Sequence, residues 1–284
     1  MSSILPPNRN QLQAAVRRRW HDVMGTDWST LVGVGYVAGA SRRMWTEEIK
    51  NLVATDGEVS FFGEDVLEPE LQPDTLDNNE DFYVVSLDAA DILAIRLWMV
   101  DENNDESIVD VTLNGLAPVL IGQYIHCNMS MYLGSHIQNV GSLFVSTKAV
   151  AGLPLVITDS VQIHVGVGRG HANNPNQLCP NNQVFIFHMM DIMADKADGI
   201  QVRMNNHINL AGDNHTMLAQ QWLAFQNHVH QHFMVPYALE AGEELSITIE
   251  RSASGRGSVN AVCNLGFYVM GASGTPEAIT PLFS

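Results

Sequence analysis

Residues 108–147 read IVDVTLNGLAPVLIGQYIHCNMSMYLGSHIQNVGSLFVST, and this stretch decides the fold class. Apolar and polar residues alternate within IVDVTL, YIHCNMSMYL and GSLFVST, and the turn sequences Asn114-Gly115 and Asn139-Val140-Gly141 separate these runs. Alternation with a period of two puts one face of a strand on a core and the other in water or against a neighbour, as in antiparallel sandwiches. The stretch therefore predicts a row of short antiparallel strands.

The same strand-and-turn pattern continues from residue 82 to near the end of the chain, with roughly ten or eleven short strands at regular spacing. An alternating βαβ fold would need amphipathic helices of about ten or more residues between strands, and only MLAQQWLAFQ (217–226) has such spacing. We therefore predict an all-β protein whose body, residues 51–284, is a jelly-roll-like antiparallel β-sandwich. Within it, residues 51–81 are expected to form an acidic loop that leads into the strands.

Residues 1–50 are predicted to be an N-terminal helical or extended docking arm. Asn8 or Asn10 can cap a helix through QLQAAVRRRWHDVM, and Gly25 would end it. The apolar residues of this segment recur at spacings of three and four and share one stripe, whereas its three consecutive arginines fan around the helix. The interface residues expected on this arm are Leu12, Val16, Arg17, Arg18, Arg19 and Trp20.

Charge is distributed unevenly along the chain. Residues 1–50 hold seven lysines and arginines against four carboxylates, a balance of +3. Residues 51–284 hold seven against twenty-seven, a balance of −20, and the two sum to the net charge of −17. A body this acidic repels nucleic acid at ordinary salt, and direct nucleic-acid binding by the body is not expected. The basic arm is suited to an acidic partner, although surface acidity also serves simply to keep a protein soluble.

Composition narrows the class of protein further. The 284 residues, 46% of them hydrophobic, are enough for one large β domain with appendages or for two domains. No stretch approaches the run of about 18 apolar residues of a membrane helix, and the first residues lack the apolar segment of a secretory signal, so no membrane partner is expected. The three cysteines lie far apart without a CxxC motif, which signals neither a disulfide framework nor a zinc site.

Three short motifs resemble a known family. They are an Asp- and Asn-rich hairpin tip at 101–106, VTLNG at 111–115, and NVGSLFVST at 139–147, which fits the pattern NVGxLxVST. In this order they are similar to the repeating core of virion structural proteins from tailed phages of cyanobacteria and from some large algal viruses. The resemblance extends over residues 84–150, with a fainter echo in VPYALEAGEELSITI (235–249). It implies a component of a virion, assembled in the host cytoplasm, whose partners are further copies of itself and other virion proteins.

His228, His230 and His232 form the strongest chemical signal in the sequence. On a strand, a period of two puts all three imidazoles on one face, and imidazole is a good ligand for transition metals. Two metal sites are conceivable: a cupin-type centre in one chain, or an axial ion shared by three chains, as in trimeric phage fibre tips. No HxHx₃₋₄E pattern follows, since Met234 stands four residues after His230, and this departure disfavours the cupin. The alternative is a polar strand face at a subunit interface or in water.

Two further patterns look like ligand sites and are interpreted otherwise. Asp101, Asn103 and Asp105 match the first half of a calcium loop, but Glu106 stands where glycine is needed and Thr112 where a carboxylate is needed. A hairpin tip of turn-forming residues explains them better. The glycine-rich segment 166–170 is followed by no GK[ST], so we interpret it as a strand end that feeds a flexible Gly/Asn/Pro loop through Asn182.

The function predicted from the sequence is non-enzymatic. The chain is expected to be a virion structural subunit that assembles through its sandwich body and its arm into a homo-oligomer, either a trimer, which is favoured, or several copies on a larger lattice. No cofactor is expected other than the transition metal considered at the three histidines. The first alternative is a receptor- or glycan-binding module of a phage particle. The second is a cupin-like metal enzyme, which depends on the three histidines.

Overall fold

A computed structural model describes residues 40–53, 56, 58–60, 76, 78–134, 139–147, 161–181, 183–195, 200–210, 213–224, 228–251 and 257–271. Throughout these ranges the regular structure is β-strand, without a helix, which confirms the predicted all-β class. The strands are β1 (Ala40–Leu52), β2 (Glu58–Ser60), β3 (Glu80–Ser86), β4 (Ala94–Val100), β5 (Glu106–Thr112), β6 (Val119–Tyr124), β7 (His126–Tyr132), β8 (Leu143–Ser146), β9 (Val161–Val165), β10 (His171–Asn173), β11 (Asn176–Leu178), β12 (Gln183–Ala194), β13 (Ile200–Leu210), β14 (Asp213–Ala224), β15 (His228–Leu239), β16 (Glu243–Arg251) and β17 (Val259–Gly271).

These strands form four antiparallel sheets. Sheet 1 has the order β1-β17-β12-β15, and sheet 2 has the order β11-β16-β13-β14, with β2 also paired to β16. Sheet 3 has the order β6-β3-β8-β9, and sheet 4 has the order β10-β7-β4-β5. Sheets 1 and 2 share one apolar core, and sheets 3 and 4 share another. The described residues therefore build two sandwiches, which we call the outer sandwich (sheets 1 and 2) and the inner sandwich (sheets 3 and 4).

Large aromatic side chains fill the core of the outer sandwich. Trp45, Phe185 and Phe187 are fully buried there, and Phe267 lies between the two phenylalanines at centroid distances of 5.2 Å and 5.1 Å. Alternate residues of β1, β12 and β17 supply these side chains, as the pleat of a strand with one buried face requires. The core of the inner sandwich contains Phe82 and Tyr132 among smaller side chains such as Leu97, Met99, Leu143 and Ile163.

The inner sandwich interrupts one strand of the outer sandwich. On β16, Glu58, Val59 and Ser60 pair with Glu250, Ile249 and Thr248, and Asn176, Gln177 and Leu178 pair with Ser246, Leu245 and Glu244. Both segments run antiparallel to β16 along the same edge, so β2 and β11 are two halves of one strand position. The whole of the inner sandwich is inserted between them.

The structure refines the sequence interpretation at the start of the body. Strand β1 pairs along almost its whole length with β17, and its Trp45, Ile49 and Leu52 lie in the outer core. The predicted boundary at residue 50 therefore falls inside a strand, and residues 40–50 are part of the outer sandwich. Leu12, Val16, Arg17, Arg18, Arg19 and Trp20 lie outside the described residues, as does most of the acidic loop 51–81.

One further expectation is corrected, and the one segment with helical spacing is assigned to a strand. The interpretation of residues 169–182 as a flexible loop is wrong, because β10 and β11 lie there and residues 172–180 are all buried. The segment MLAQQWLAFQ, which had helical spacing, belongs to β14 through Ala224, and β14 pairs along its length with β13. In both places sheet pairing in the folded protein outweighs the local pattern.

Candidate functional site

The motifs VTLNG and NVGxLxVST meet at one carboxylate. Asp91, buried in the turn before β4, accepts hydrogen bonds from the main-chain amides of Val140 at 2.8 Å and Gly141 at 3.0 Å, and from the Ser86 hydroxyl at 2.5 Å. Its main-chain oxygen accepts a hydrogen bond from Gly115 N at 2.9 Å. We call this set the Asp91 hub. It ties three loops together, so these motif residues have a structural role.

The two glycines of the motifs allow these loops to approach closely. A Cβ atom on Gly141 would lie 2.6 Å from the main-chain nitrogen of Asp88, and one on Gly115 would lie 2.8 Å from the Ala89 oxygen. Gly115 also has a φ of +57°, in the left-handed region where a side chain is disfavoured. Both positions therefore require glycine for the packing of the hub.

Asn139 extends the hub to the β9–β10 turn. Its side-chain amide donates to the main-chain oxygens of Gly141 at 2.7 Å and Gly166 at 2.9 Å, and Gly168 N donates to its main-chain oxygen at 3.2 Å. Three apolar side chains next to these bonded groups face solvent: Ile92 is 67% exposed, and Val140 and Val167 are each 56% exposed. They lie on loops that these hydrogen bonds tie together, at the end of the inner sandwich where β3 ends, and we call them the loop cluster.

The calcium-like sequence at 101–105 is a hairpin tip, as predicted. Asp101 Oδ1 accepts hydrogen bonds from the amides of Asn103 at 2.8 Å and Asp105 at 3.0 Å, and Asp101 N donates to Asp105 O at 3.2 Å. Asn104 has a φ of +58°, which asparagine tolerates in turns. The Asp101 carboxylate is therefore used to close the turn.

The two sandwiches are joined through buried amide side chains. Asn128, on β7 of the inner sandwich, donates from Nδ2 to Leu178 O at 2.9 Å and accepts from Leu178 N at 3.0 Å, so its side chain pairs with β11 as a strand would. Gln177 returns a hydrogen bond to Asn128 O at 3.1 Å. Trp45 Nε1 donates to Asn174 O at 2.7 Å. We call this contact between the sandwiches the junction.

Two carboxylates, one from each sandwich, form contacts across the junction. Glu106, at the start of β5, accepts a hydrogen bond from Gln183 Nε2 at 2.8 Å and lies 3.7 Å from Arg43 Nη2, both in the outer sandwich. Glu47, on β1 of the outer sandwich, accepts a hydrogen bond from the main-chain amide of Asn173 in β10 at 2.6 Å. Burial raises the pKa of Glu47 to about 8, because the junction solvates a charged carboxylate poorly.

Burial also shifts the pKa values of titratable groups next to the junction. Burial lowers the pKa of His126 to about 4, and its Nε2 atom lies 3.0 Å from Asn176 O. Cys127, Cys179 and Cys263 are buried free thiols, and burial raises the pKa of Cys127 and Cys263 well above the usual range of a thiol. Thiols in such surroundings are poor nucleophiles, and Cys127 and Cys263 pack as small residues in the inner and outer cores.

The three predicted metal ligands lie on β15, at the edge of sheet 1. His228, His230 and His232 pair in register with Met193, Asp191 and Met189 of β12, so they stand at alternate positions of β15. The imidazole of His228 is bonded through Nε2 to Asp191 Oδ1 at 2.5 Å. The side chains of His230 and His232 are outside the described part of the structure. Among the described side chains, no group of three or more histidines, cysteines and carboxylates is arranged to hold a metal ion.

The junction residues were missed by sequence reasoning. The segment HANNPNQLCPNN (171–182) looks like a polar loop, but the side chains of Asn174 and Gln177 form buried hydrogen bonds with main-chain groups. Its density of Asn and Gln next to the apolar strand VQIHV was the available signal, since such side chains pair readily with the main chain. Glu47 was hidden because a single carboxylate at a core position looks like a break in the apolar pattern.

Comparisons with known proteins give no family for this chain. No protein-family model matches it, and no curated protein matches it. A structure of the infectious bursal disease virus Gt strain is 9% identical, over 84% of this chain and 74% of that chain, with a TM-score of 0.20. The crystal structure of the infectious bursal disease virus VP2 subviral particle is 10% identical over the same shares, with a TM-score of 0.21. Similarity at this level does not establish a shared fold or function.

Proposed function

We propose that this chain is a non-enzymatic structural subunit of a virion, assembled in the host cytoplasm. The observation that carries the proposal is the strand order of the outer sandwich. The outer sandwich has eight strands when β2 and β11 are counted as one. If these eight are numbered in chain order, sheet 1 has the order 1-8-3-6 and sheet 2 has the order 2-7-4-5. This is the strand order of a jelly roll, an architecture of viral capsid domains, lectin domains and cupins.

The filled core favours a structural role over a cupin-like enzyme. A cupin binds its metal and substrate inside the barrel, whereas Trp45, Phe185, Phe187 and Phe267 occupy the space between sheets 1 and 2. The resemblance of the hub motifs to virion proteins also supports the proposal, and the hub gives these motif residues a structural role, because they tie three loops of the inner sandwich together. A virion subunit needs this rigidity, since its surfaces must match those of many neighbours.

The partners proposed are further copies of this chain and other virion proteins. A closed homo-oligomer, most simply a trimer, fits a body whose strands carry polar but uncharged residues such as Asn206, His207 and Gln231, which suit wet subunit contacts. Assembly can be tested by light scattering at tens of micromolar together with electron microscopy of particles labelled on this chain. A defined oligomer and labelled particles support the proposal, whereas a monomer absent from particles contradicts it.

A receptor- or glycan-binding role is a second candidate, favoured by the loop cluster of Ile92, Val140 and Val167. Exposed apolar side chains on loops already fixed by hydrogen bonds lose little entropy on binding, which is a property of good recognition surfaces. A glycan-binding screen with the intact chain tests this role, and Val140→Asp is the variant that should abolish any binding found. If binding survives in that variant, the loop cluster is not the recognition surface.

A further inference from the structure

The Glu47–Asn173 hydrogen bond spans two independently packed cores. Glu47 is only 2% exposed and lies between Trp45 and Ile49, which belong to the outer core. Asn173 follows Ala172, which belongs to the inner core. This hydrogen bond therefore connects a side chain of the outer sandwich to the main chain of the inner sandwich.

The charged groups around Glu47 are engaged elsewhere. On its own strand, Glu48 bonds the guanidinium of Arg169 and lies 3.4 Å from Lys50 Nζ. On β17, Cys263 stands opposite Glu47 in the sheet and is a buried thiol. On β10, His171 has a lowered pKa, because of its burial and then the nearby charge of Arg169. Within the described residues, no arginine, lysine or histidine forms an ion pair with Glu47.

We propose that Glu47 is a proton-dependent latch between the two sandwiches, closed when its carboxyl group is protonated and loosened when the proton is lost. A neutral carboxyl group accepts the Asn173 hydrogen bond at little cost. A buried carboxylate without an ion-pair partner is costly, and moving β1 away from β10 lets water solvate it. Burial is the largest cause of the raised pKa of Glu47 and the charge of Glu48 adds to it, whereas the Asn173 amide and Arg169 act in the opposite direction.

The direction of the pH effect follows from proton binding. In the closed junction the pKa of Glu47 is about 8, and in an open, solvated junction it returns to its ordinary value of 4.5. Between these two values the open form binds fewer protons, so the equilibrium constant for opening rises about tenfold per pH unit. Above pH 8 both forms are ionised and the constant levels off. The junction is therefore tightest in acid and loosest from mildly alkaline pH upward.

Hydrogen exchange of the full-length chain tests the latch. The protection factor of the Asn173 amide, corrected for the intrinsic pH dependence of exchange, is measured from pH 5 to pH 9.5. The latch predicts a fall of about tenfold per unit up to pH 8 and a plateau above it. In Glu47→Gln, which keeps the acceptor oxygen and has no proton to lose, protection should be independent of pH. Glu102→Gln, on the exposed hairpin tip, is the matched control and should behave as the wild type does.

Two results would overturn the latch: constant protection in the wild type, or the same fall in Glu47→Gln as in the wild type. Should Glu47→Gln fail to fold, the Glu47 carboxyl carbon of the wild type can be titrated by NMR. A midpoint near the ordinary value of 4.5 contradicts the latch, and a midpoint near 8 that follows the Asn173 protection supports it. These measurements concern a single chain, so their outcome is independent of whether the chain assembles into a virion.

Discussion

Ser60 and Asn176 lie on the same edge of β16, separated by the single position opposite Ile247, although the whole inner sandwich lies between them in sequence. Ser60 pairs with Thr248 and Asn176 pairs with Ser246. The chain thus leaves the outer sandwich and returns to it at nearly the same point. Because the two ends of the insertion lie this close, both halves of the interrupted strand stay paired with β16. The inner sandwich could therefore be replaced by a very short linker.

The outer sandwich is therefore expected to fold without the inner one. In the first variant, residues 61–175 are removed and Ser60 is joined to Asn176 through one threonine, which would lie opposite Ile247. We expect a cooperative thermal transition at a lower melting temperature than that of the full chain, because the bonds across the junction are lost. Circular dichroism and calorimetry of the purified variant give the measurement.

A direct join of Ser60 to Asn176 is the matched control. Without the bridging residue, either β2 or β11 must shift by one position along β16, which turns its side chains to the opposite face. Val59 and Leu178 would then not both keep their buried positions. The direct join should melt without cooperativity. Equal melting behaviour of the two variants would contradict the single-strand interpretation of β2 and β11.

Asp91→Ala should destabilise the protein strongly. The change removes the acceptor for Val140 N, Gly141 N and the Ser86 hydroxyl, and unsatisfied buried donors cost about 1–3 kcal/mol each when water cannot reach them. Urea denaturation should show a loss of roughly 2–4 kcal/mol in the free energy of unfolding. Asp110→Asn, which breaks the exposed pair with Arg96, is the control and should cost about 0–1 kcal/mol. A similarly small loss in both variants would show that the hub does not contribute substantially to the free energy of unfolding.

Gly141→Ala and Gly170→Ala form a matched pair. The new methyl group at 141 meets main-chain Asp88 at 2.6 Å, whereas at 170 nothing lies within 4 Å. Overpacking against main chain costs about 1–3 kcal/mol, so the melting temperature should fall in Gly141→Ala and stay nearly unchanged in Gly170→Ala. A neutral Gly141→Ala would show that the loop of the NVG motif can move away from Asp88.

The strands between residues 80 and 146 were predictable because each is indicated by a pattern within its own short stretch of sequence. The run IVDVTL coincides with the greater part of β5, where half-buried and exposed side chains alternate from Ile108 to Thr112. GSLFVST contains β8, whose four residues are all buried. Strand β1 was not predicted, because Glu47 and the polar residues of its open face mask the apolar positions Trp45 and Ile49. The interruption of one strand by a second sandwich depends on pairing between Glu58–Ser60 and the distant β16, which no local pattern encodes.

The three-chain metal hypothesis for His228, His230 and His232 makes a prediction about the oligomer. Neutral imidazoles converging on an axis would bind a transition metal, and protonation of the imidazoles would release it. A chelator or mild acid should then lower the melting temperature, and His230→Ala should abolish this sensitivity. Elemental analysis without stoichiometric metal, together with a melt unaffected by chelator, would assign these histidines to a polar strand face.

The N-terminal arm gives the last prediction, which rests on its sequence and on the position of β1. Ala40 is the first described residue and lies on β1 at an edge of sheet 1, so the predicted arm joins the body at that edge. Exposed ion pairs of Arg17, Arg18 or Arg19 would each contribute only about 0–1 kcal/mol, so the apolar stripe must supply most of the docking energy. Trp20→Ala should cost roughly 2–4 kcal/mol of docking energy and prevent incorporation into particles, whereas Arg18→Ala should incorporate almost normally. The body of Trp20→Ala should still melt cooperatively, and normal incorporation of that variant would show that the arm does not dock through this stripe.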